Sequence, residues 1–322
     1  MSDADDTAVA VACQGGGSHT AFSAGVLKCL VRDLPPGYEL TGLSGTSGGA
    51  ICAVVAWYGL LTGGPDRARS LLDSVWEAIA ATTPADRVFN DWLVWGSRVA
   101  SSGVPVPEVS PYYTPLSKWG QERLRETLED HVDFDRLADL VDPDSPQLIV
   151  GTVNLNEGDF ETFRDGEVTA DAVLASAAVP DIYRAVEIHD HWHWDGLFSQ
   201  NPPVNDFLEG ARGRKPDEIW VVQINPQDRE GEPKSLEEIA DRRNELSGNI
   251  SLNQELRFIE TVNDWVDAGH LPADRYKRVE IRKIAVERAF HCSTKVDRDP
   301  AFLREMRRRG EEQATAFLGD LD

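Results

Sequence analysis

Ser47 stands in Gly45-Thr46-Ser47-Gly48-Gly49, a match to the pattern G-x-S-x-G. That spacing serves nucleophilic catalysis, because flanking glycines let the chain turn sharply enough to lift a serine hydroxyl clear of its neighbours. A helix starting there sets the Gly48 N–H and a positive dipole end beside the serine oxygen. A glycine-rich turn with an incidental serine has the same spelling, so the context matters: the motif follows a predicted strand and opens a predicted helix. A second cluster, Gln14-Gly15-Gly16-Gly17-Ser18, also lies between a strand and a helix. Its glycines leave backbone N–H groups unobstructed at a helix N-terminus, an arrangement that receives an anion. The anion is either a bound phosphate or the oxyanion of a tetrahedral intermediate. Neither G-x-x-x-x-G-K-[ST] nor G-x-G-x-x-G is present, and a serine elbow comes next along the chain, so the oxyanion hole is preferred.

A serine nucleophile needs a proton acceptor. His189-Asp190-His191-Trp192-His193-Trp194-Asp195-Gly196 alternates like a strand and ends in an Asp-Gly turn. Asp195 therefore falls at a strand end, where catalytic groups of parallel sheets gather. His189, His191 and His193 would share one face of that strand. Same-face neighbours lie roughly 7 Å apart, too far to share one metal ion without strain, so a polar strand face is the reading adopted. No metal and no cofactor is expected.

These residues need a scaffold. Thr7–Cys13 and Glu39–Leu43 read as short strands, each ending at a glycine cluster, and Gln147–Val153 and Glu218–Ile224 read as further buried strands. Between them lie helical patterns: Phe22, Val26 and Leu30 at i, i+4 and i+8, then Gly48 to about Tyr58, Arg67–Ala80 and Gln121–Asp130. This alternation predicts an α/β domain with a mainly parallel sheet. After about residue 230 the chain reads as helix-dominated, from Ser235 to Val266 and again from Pro300 to Leu318. No Pro/Gly/Ser linker intervenes. One domain is expected over residues 7–322, after a disordered stretch at 1–6.

Composition limits the partners. With 32 basic against 55 acidic residues, the chain of 322 residues carries a net charge of −23. Nucleic acid and anionic membrane surfaces would repel it. Seven of the basic residues are lysine and 25 arginine. Abundant carboxylates with scarce lysine suit a protein kept soluble in concentrated salt; the plainer alternative is an acidic cytosolic protein. The start, Met1 to Asp6, is acidic and lacks the basic flank of a signal peptide. No stretch approaches the roughly 18 apolar residues of a transmembrane segment. Cys13, Cys29, Cys52 and Cys292 show no CxxC spacing and read as reduced thiols. A cytoplasmic location is expected.

The ordered set of motifs resembles the patatin-like phospholipase family. Gly15-Gly16-Gly17 with Ala24-Gly25-Val26-Leu27 is followed by Gly45-Thr46-Ser47-Gly48-Gly49. Ala175-Ser176-Ala177-Ala178-Val179-Pro180 comes next, then Asp195-Gly196 with Asn201-Pro202-Pro203, covering roughly residues 7–205. The resemblance implies a three-layer α/β/α fold and a Ser–Asp dyad without histidine. By position Ser47 is the nucleophile, Asp195 its base, and the N–H groups of Gly15, Gly16, Gly17 and Gly48 the oxyanion hole. Two positions depart from the family pattern: His19-Thr20 stands where Arg or Lys followed by Gly is frequent, and Leu197 where a second glycine is common. The expected reaction is ester hydrolysis through an acyl-Ser47 intermediate. The competing enzyme reading, an α/β-hydrolase triad, would need a late histidine, and only His270 and His291 follow Asp195.

The family acts on esters of water-insoluble lipids. An acidic, intracellular version resembles haloarchaeal members similar to intracellular polyhydroxyalkanoate depolymerases, which work on storage granules. Such a polyester needs no phosphate pocket and suits the missing cation at His19. A glycerolipid acyl hydrolase is the alternative, and a non-catalytic granule- or lipid-surface binding protein a second one. Phe89 to Trp119 is rich in aromatics, with Val88, Trp92, Trp95 and Val99 on one helical face. Packing of that face into the core is the expectation; a flap that docks on an apolar surface is the alternative.

Overall fold

The computed structural model describes residues 6–104, 109–209, 214–272, 275–287 and 290–321; residues 1–5 of the stretch expected to be disordered lie outside that set. Apolar runs without polar alternation need cover on both faces, and the central strands receive it. β1 (Thr7–Cys13) pairs in parallel with β2 (Tyr38–Gly45) on one edge. β3 (Gln147–Asn154) continues in parallel beyond β2. β4 (Asp159–Arg164), β5 (Val186–Ile188) and β6 (His191–Asp195) add antiparallel pairs around β3. On the other edge of β1 lie β7 (Glu218–Gln223) and then β8 (Glu280–Ala285), both parallel. The parallel core thus runs 3-2-1-7-8 within an eight-stranded mixed sheet.

Period-two alternation sends β1 side chains to two separate cores. Val9, Val11 and Cys13 meet α1 (Ala21–Asp33), α2 (Gly48–Ile79) and, through Leu303 and Met306, the C-terminal helix Pro300–Gly319. Ala10 and Ala12 meet Leu252, Leu256 and Ile259 of the long helix Leu236–Asp267. The result is the three-layer α/β/α arrangement that the sequence implies.

Three local outcomes differ from expectation. The predicted helices at Gly48–Tyr58 and Arg67–Ala80 are both present but abut without a loop, the two segments of α2 meeting at a break where Gly63 and Gly64 leave helical φ/ψ ahead of Pro65. By length and composition α2 could cross a membrane, but two thirds of its apolar window is buried in the core. The region after residue 230 is not wholly helical, because β8 supplies the sheet's edge; its sequence, EIRKIA, carries the charges that suit an edge, and only the open side of β7 makes it a strand. Third, the aromatic helix α3 (Pro84–Ser101) does not bury its apolar face. It turns Asp86, Asn90 and Val94 inward. Arg123, on α4 (Pro115–His131), pairs with Asp86, and Asn90 donates to Asp297 and accepts from the Arg298 N–H. Specific polar partners outweigh the hydrophobic preference and leave Val88, Trp92 and Trp95 outside.

Candidate active site

β2 ends at Gly45 and the chain reverses into α2 within two residues. Ser47 occupies the corner at φ 58°, ψ −132°, a conformation that costs a non-glycine residue about 1–3 kcal/mol and persists only where the surroundings dictate it. They do so through close approach and hydrogen bonds. A Cβ on Gly45 would lie 2.4 Å from the Gly49 carbonyl oxygen, and one on Gly49 2.2 Å from that of Cys13, so only glycine fits at either place. The Thr46 hydroxyl donates to the Gln200 carbonyl (2.6 Å). The Ser47 N–H donates to Ser176 Oγ (2.9 Å), whose hydroxyl in turn donates to the Gly151 carbonyl (2.7 Å). Ser176 lies in a short helix, Ala170–Ser176, packed beside β3.

Sheet register brings Asp195 to this corner. β4 occupies one edge of β3 from Ile149 to Asn154. Along the opposite edge β2 pairs as far as Gly45 with Val150, and two residues further Thr152 pairs with Asp195. β6 takes over where β2 stops, and its last residue arrives beside Ser47. Asp195 is wholly buried, and Oδ1 accepts the Leu197 N–H at 2.9 Å. Burial pushes its carboxyl up to about 7, against the opposing pull of that N–H and of the neighbouring Ser47 hydroxyl. Oδ2 receives no hydrogen bond of ordinary geometry, so serine and carboxylate are adjacent with the proton-transfer contact still to be closed.

The glycine loop is fixed from β7. Gln14 Oε1 accepts the N–H groups of Ile224 (2.9 Å) and Asn225 (2.8 Å), and its Nε2 donates to Asn249 Oδ1 (2.9 Å). Asn225 Nδ2 donates to the Gly15 carbonyl (2.9 Å). One member of the expected oxyanion set is thereby corrected. The Gly15 N–H is committed to Asn201 Oδ1 at 2.7 Å, so Gly15 positions the loop and has no donor left for an oxyanion. Among the described residues, the N–H groups of Gly16, Gly17 and Gly48 have no protein acceptor; Gly16 and Gly17 line the cleft above Ser47 and Gly48 opens α2 beside it.

That cleft encloses about 280 Å³. Asp181, Glu237, Asp241 and Glu245 contribute carboxylates to its wall, and among the described lining residues Lys295 is the basic one. Its ammonium is engaged by Asp241 (2.6 Å) and Glu245 (3.0 Å). His19 adds no charge. Burial first, and then the Lys295 charge, lower its imidazole to about 3, while Nε2 meets Thr294 Oγ1 at 2.7 Å and the ring packs on Phe290 and Phe302.

The other histidines sit elsewhere. His189 falls in the hairpin turn with Asp190, both at positive φ, and not on the strand with His191 and His193 as expected. His193 is buried against Glu161 (2.9 Å), and His191 Nδ1 meets Asn154 at 2.8 Å. His291 caps a short turn through Ser293, and neither it nor His270 lines the cleft. Sequence reasoning missed the roles of Gln14, Ser176, Asn201 and Asn225. Ser176 and Asn201 stood in recognisable blocks, but nothing local marks a side chain whose partners lie more than a hundred residues away.

A family model described as Patatin-like phospholipase matches residues 11–208. No curated protein matches. Among solved structures, VipD from Legionella pneumophila aligns at 15% identity and a TM-score of 0.46 over 98% of this chain and 67% of VipD. The ExoU–SpcU complex from the type III secretion system of Pseudomonas aeruginosa aligns at 13% identity and a TM-score of 0.37, over 98% of this chain and 52% of that one.

Proposed function

The chain belongs to the patatin-like phospholipase family, and from that premise we propose that it is a serine acyl hydrolase using Ser47 and Asp195 as a dyad. One observation carries the reading: a serine on a strained corner beside a fully buried carboxylate held near neutrality, with N–H groups that lack acceptors on the same cleft. As Ser47 Oγ attacks an ester carbonyl, its proton passes to Asp195. Taking that proton relieves the cost of a buried charge, so burial strengthens an otherwise weak base. The negative charge leaves the carboxylate and appears on the former carbonyl oxygen, where the N–H groups of Gly16, Gly17 and Gly48 and the α2 N-terminus receive it. The carbon–oxygen bond to the leaving alcohol then breaks, Asp195 returns the proton to that alcohol, and acyl-Ser47 remains. Asp195 next takes a proton from water and the resulting hydroxide attacks the acyl carbon; the bond from that carbon to Ser47 Oγ then breaks, Asp195 returns the proton to Oγ, and the carboxylic acid leaves.

The preferred substrate is an uncharged aliphatic ester, and the specific reading is an intracellular polyhydroxyalkanoate depolymerase on cytoplasmic storage granules. The cleft's lysine already holds two carboxylates, His19 is neutral, and the net charge of −23 opposes anionic head groups. The family description favours the second reading, acyl hydrolysis of glycerophospholipids. Native protein, Ser47→Ala and Asp195→Asn are compared on p-nitrophenyl butyrate, then native protein on amorphous polyester particles and on phosphatidylglycerol vesicles. Turnover lost in both variants, with particles cleaved in preference to vesicles, is the expected outcome. Full activity in Ser47→Ala overturns the dyad, and cleavage of vesicles alone overturns the polyester.

A further inference from the structure

Glycine at both 15 and 16 leaves the peptide between them free to swing, because neither Cα carries a Cβ to restrain it. Close packing demands both glycines. A Cβ on Gly15 would lie 2.8 Å from the Thr46 carbonyl oxygen, and one on Gly16 2.5 Å from the Ile224 side chain. Rigidity must therefore come from hydrogen bonds. The Gly15–Gly16 peptide is trans and planar, so the Gly15 carbonyl and the Gly16 N–H point in opposite directions as one unit. Whatever holds that carbonyl aims that N–H.

The N–H groups of Gly16, Gly17 and Gly48, which have no protein acceptor among the described residues, differ in what steadies their peptides. Gly17 shares a peptide with the Gly16 carbonyl, which accepts the His19 N–H at 3.3 Å. Gly48 shares one with the Ser47 carbonyl, which accepts the Ala50 N–H at 2.9 Å. Both are backbone bonds that depend on no side chain. The carbonyl paired with the Gly16 N–H instead accepts a side chain, Asn225 Nδ2, at 2.9 Å. Only the amide NH2 can donate to a carbonyl, so the partner fixes which way the Asn225 side chain faces. A bond accepted at the carbonyl also polarises the peptide and strengthens its N–H as a donor.

Asn225 is itself held firmly. It is buried on the cleft wall two residues past β7. Its N–H donates to Gln14 Oε1 (2.8 Å), and its carbonyl accepts Gln223 Nε2 (3.3 Å). Pro226 follows and confines the Asn225 backbone to extended conformations. The Pro226 carbonyl accepts Asn249 Nδ2 (3.0 Å), and Asn249 Oδ1 accepts Gln14 Nε2 (2.9 Å), which ties this corner to the long helix Leu236–Asp267. None of these ties uses the Asn225 side chain. A substitution there releases one peptide and leaves the rest of the loop clamped.

We propose that Asn225 is a positioning residue: by holding the Gly15 carbonyl it aims the Gly16 N–H at the oxygen that turns negative during acyl transfer. The proposal rests on the acyl-hydrolase reading for the identity of that oxygen. Asn225→Ala removes the donor, and Asn225→Asp keeps the shape but sets an acceptor against the carbonyl. Both are expected to lower kcat for p-nitrophenyl butyrate about tenfold or more while KM stays within about twofold. Affinity for butane-1-boronic acid, whose tetrahedral serine adduct sets an oxygen in the same hole, is expected to fall by the same factor as kcat. A merely structural role would instead lower the melting temperature and leave kcat and boronate affinity together unchanged. A readout independent of turnover comes from selective 15N-glycine labelling: the Gly16 amide resonance is expected to be sharp in the native chain and shifted and broadened in Asn225→Ala. An unchanged Gly16 resonance overturns the proposal, and so does undiminished kcat in either folded variant. If native protein and Ser47→Ala are equally active, or equally inactive, on the ester, the hydrolase reading falls, and the Gly16 resonance alone decides whether Asn225 aims that N–H.

Discussion

Asp195→Asn is expected to abolish turnover and, above neutral pH, to stabilise the fold. The carboxyl rises from an ordinary 3.8 to about 7 because it is wholly buried. The unfolded chain ionises it near 3.8, whereas the folded chain resists until about 7. Below the lower value there is no cost; through the interval the cost grows; above about 7 it levels off at about 4 kcal/mol. Asparagine removes that charge and keeps an oxygen to accept the Leu197 N–H. Its amide nitrogen replaces Oδ2, which has no partner, so an unsatisfied donor costs about 1–3 kcal/mol. The net gain at about pH 8.5 is then about 1–3 kcal/mol. Near pH 5 the carboxylate costs only about 2 kcal/mol, and the gain vanishes or reverses. For a chain of this length the alkaline gain amounts to roughly 2–4 °C in melting temperature. Circular-dichroism melts of both proteins at the two pH values measure it, beside kcat/KM of the native protein for p-nitrophenyl butyrate, expected to rise with pH through a midpoint near 7. A melting difference independent of pH, or activity undiminished at pH 5, would show that burial does not set the charge of this carboxylate.

Other substitutions probe the corner. Ser47→Gly is expected to lose turnover while gaining about 1 kcal/mol in a denaturant titration, because glycine adopts the positive φ without strain. Ser176→Ala strands the Ser47 N–H, so a loss of about 2 kcal/mol should accompany a lower kcat at unchanged KM for the soluble ester. Gly49→Ala, which sets a methyl 2.2 Å from the Cys13 carbonyl oxygen, should yield no soluble folded protein, as expression and gel filtration will report.

The parts legible in the sequence are those encoded by neighbours. β1 is a continuous apolar run and β2 a short strand interrupted by Glu39 and Thr41, but both end at glycine clusters, so both turns that frame the cleft are legible in the sequence. β8 was hidden because its charged edge sequence becomes a strand only against β7. α3 misled for a related reason: helical periodicity shows which residues share a face, but not which face turns inward. Asp86 and Asn90 decide that, through partners 37 and 207 residues away. The Gly15–Gly17 loop shows the same limit in finer detail. Three glycines advertise free donors, yet Asn201, far along the chain, has claimed the first.

The shared edge of β3 also bears on how the protein is made. Ser47 leaves the ribosome early, on a turn that glycine alone can shape, but Asp195 is translated much later. Asn201, Asn225 and Asn249, which hold the Gly15–Gly17 loop directly or through Gln14, follow later still. A nascent chain or a clipped fragment that stops short of them carries Ser47 without the buried carboxylate beside it and a loop without its clamps. If Ser47 and Asp195 act as proposed, competence to cleave esters arrives only with the finished sheet, and an incomplete copy would have none.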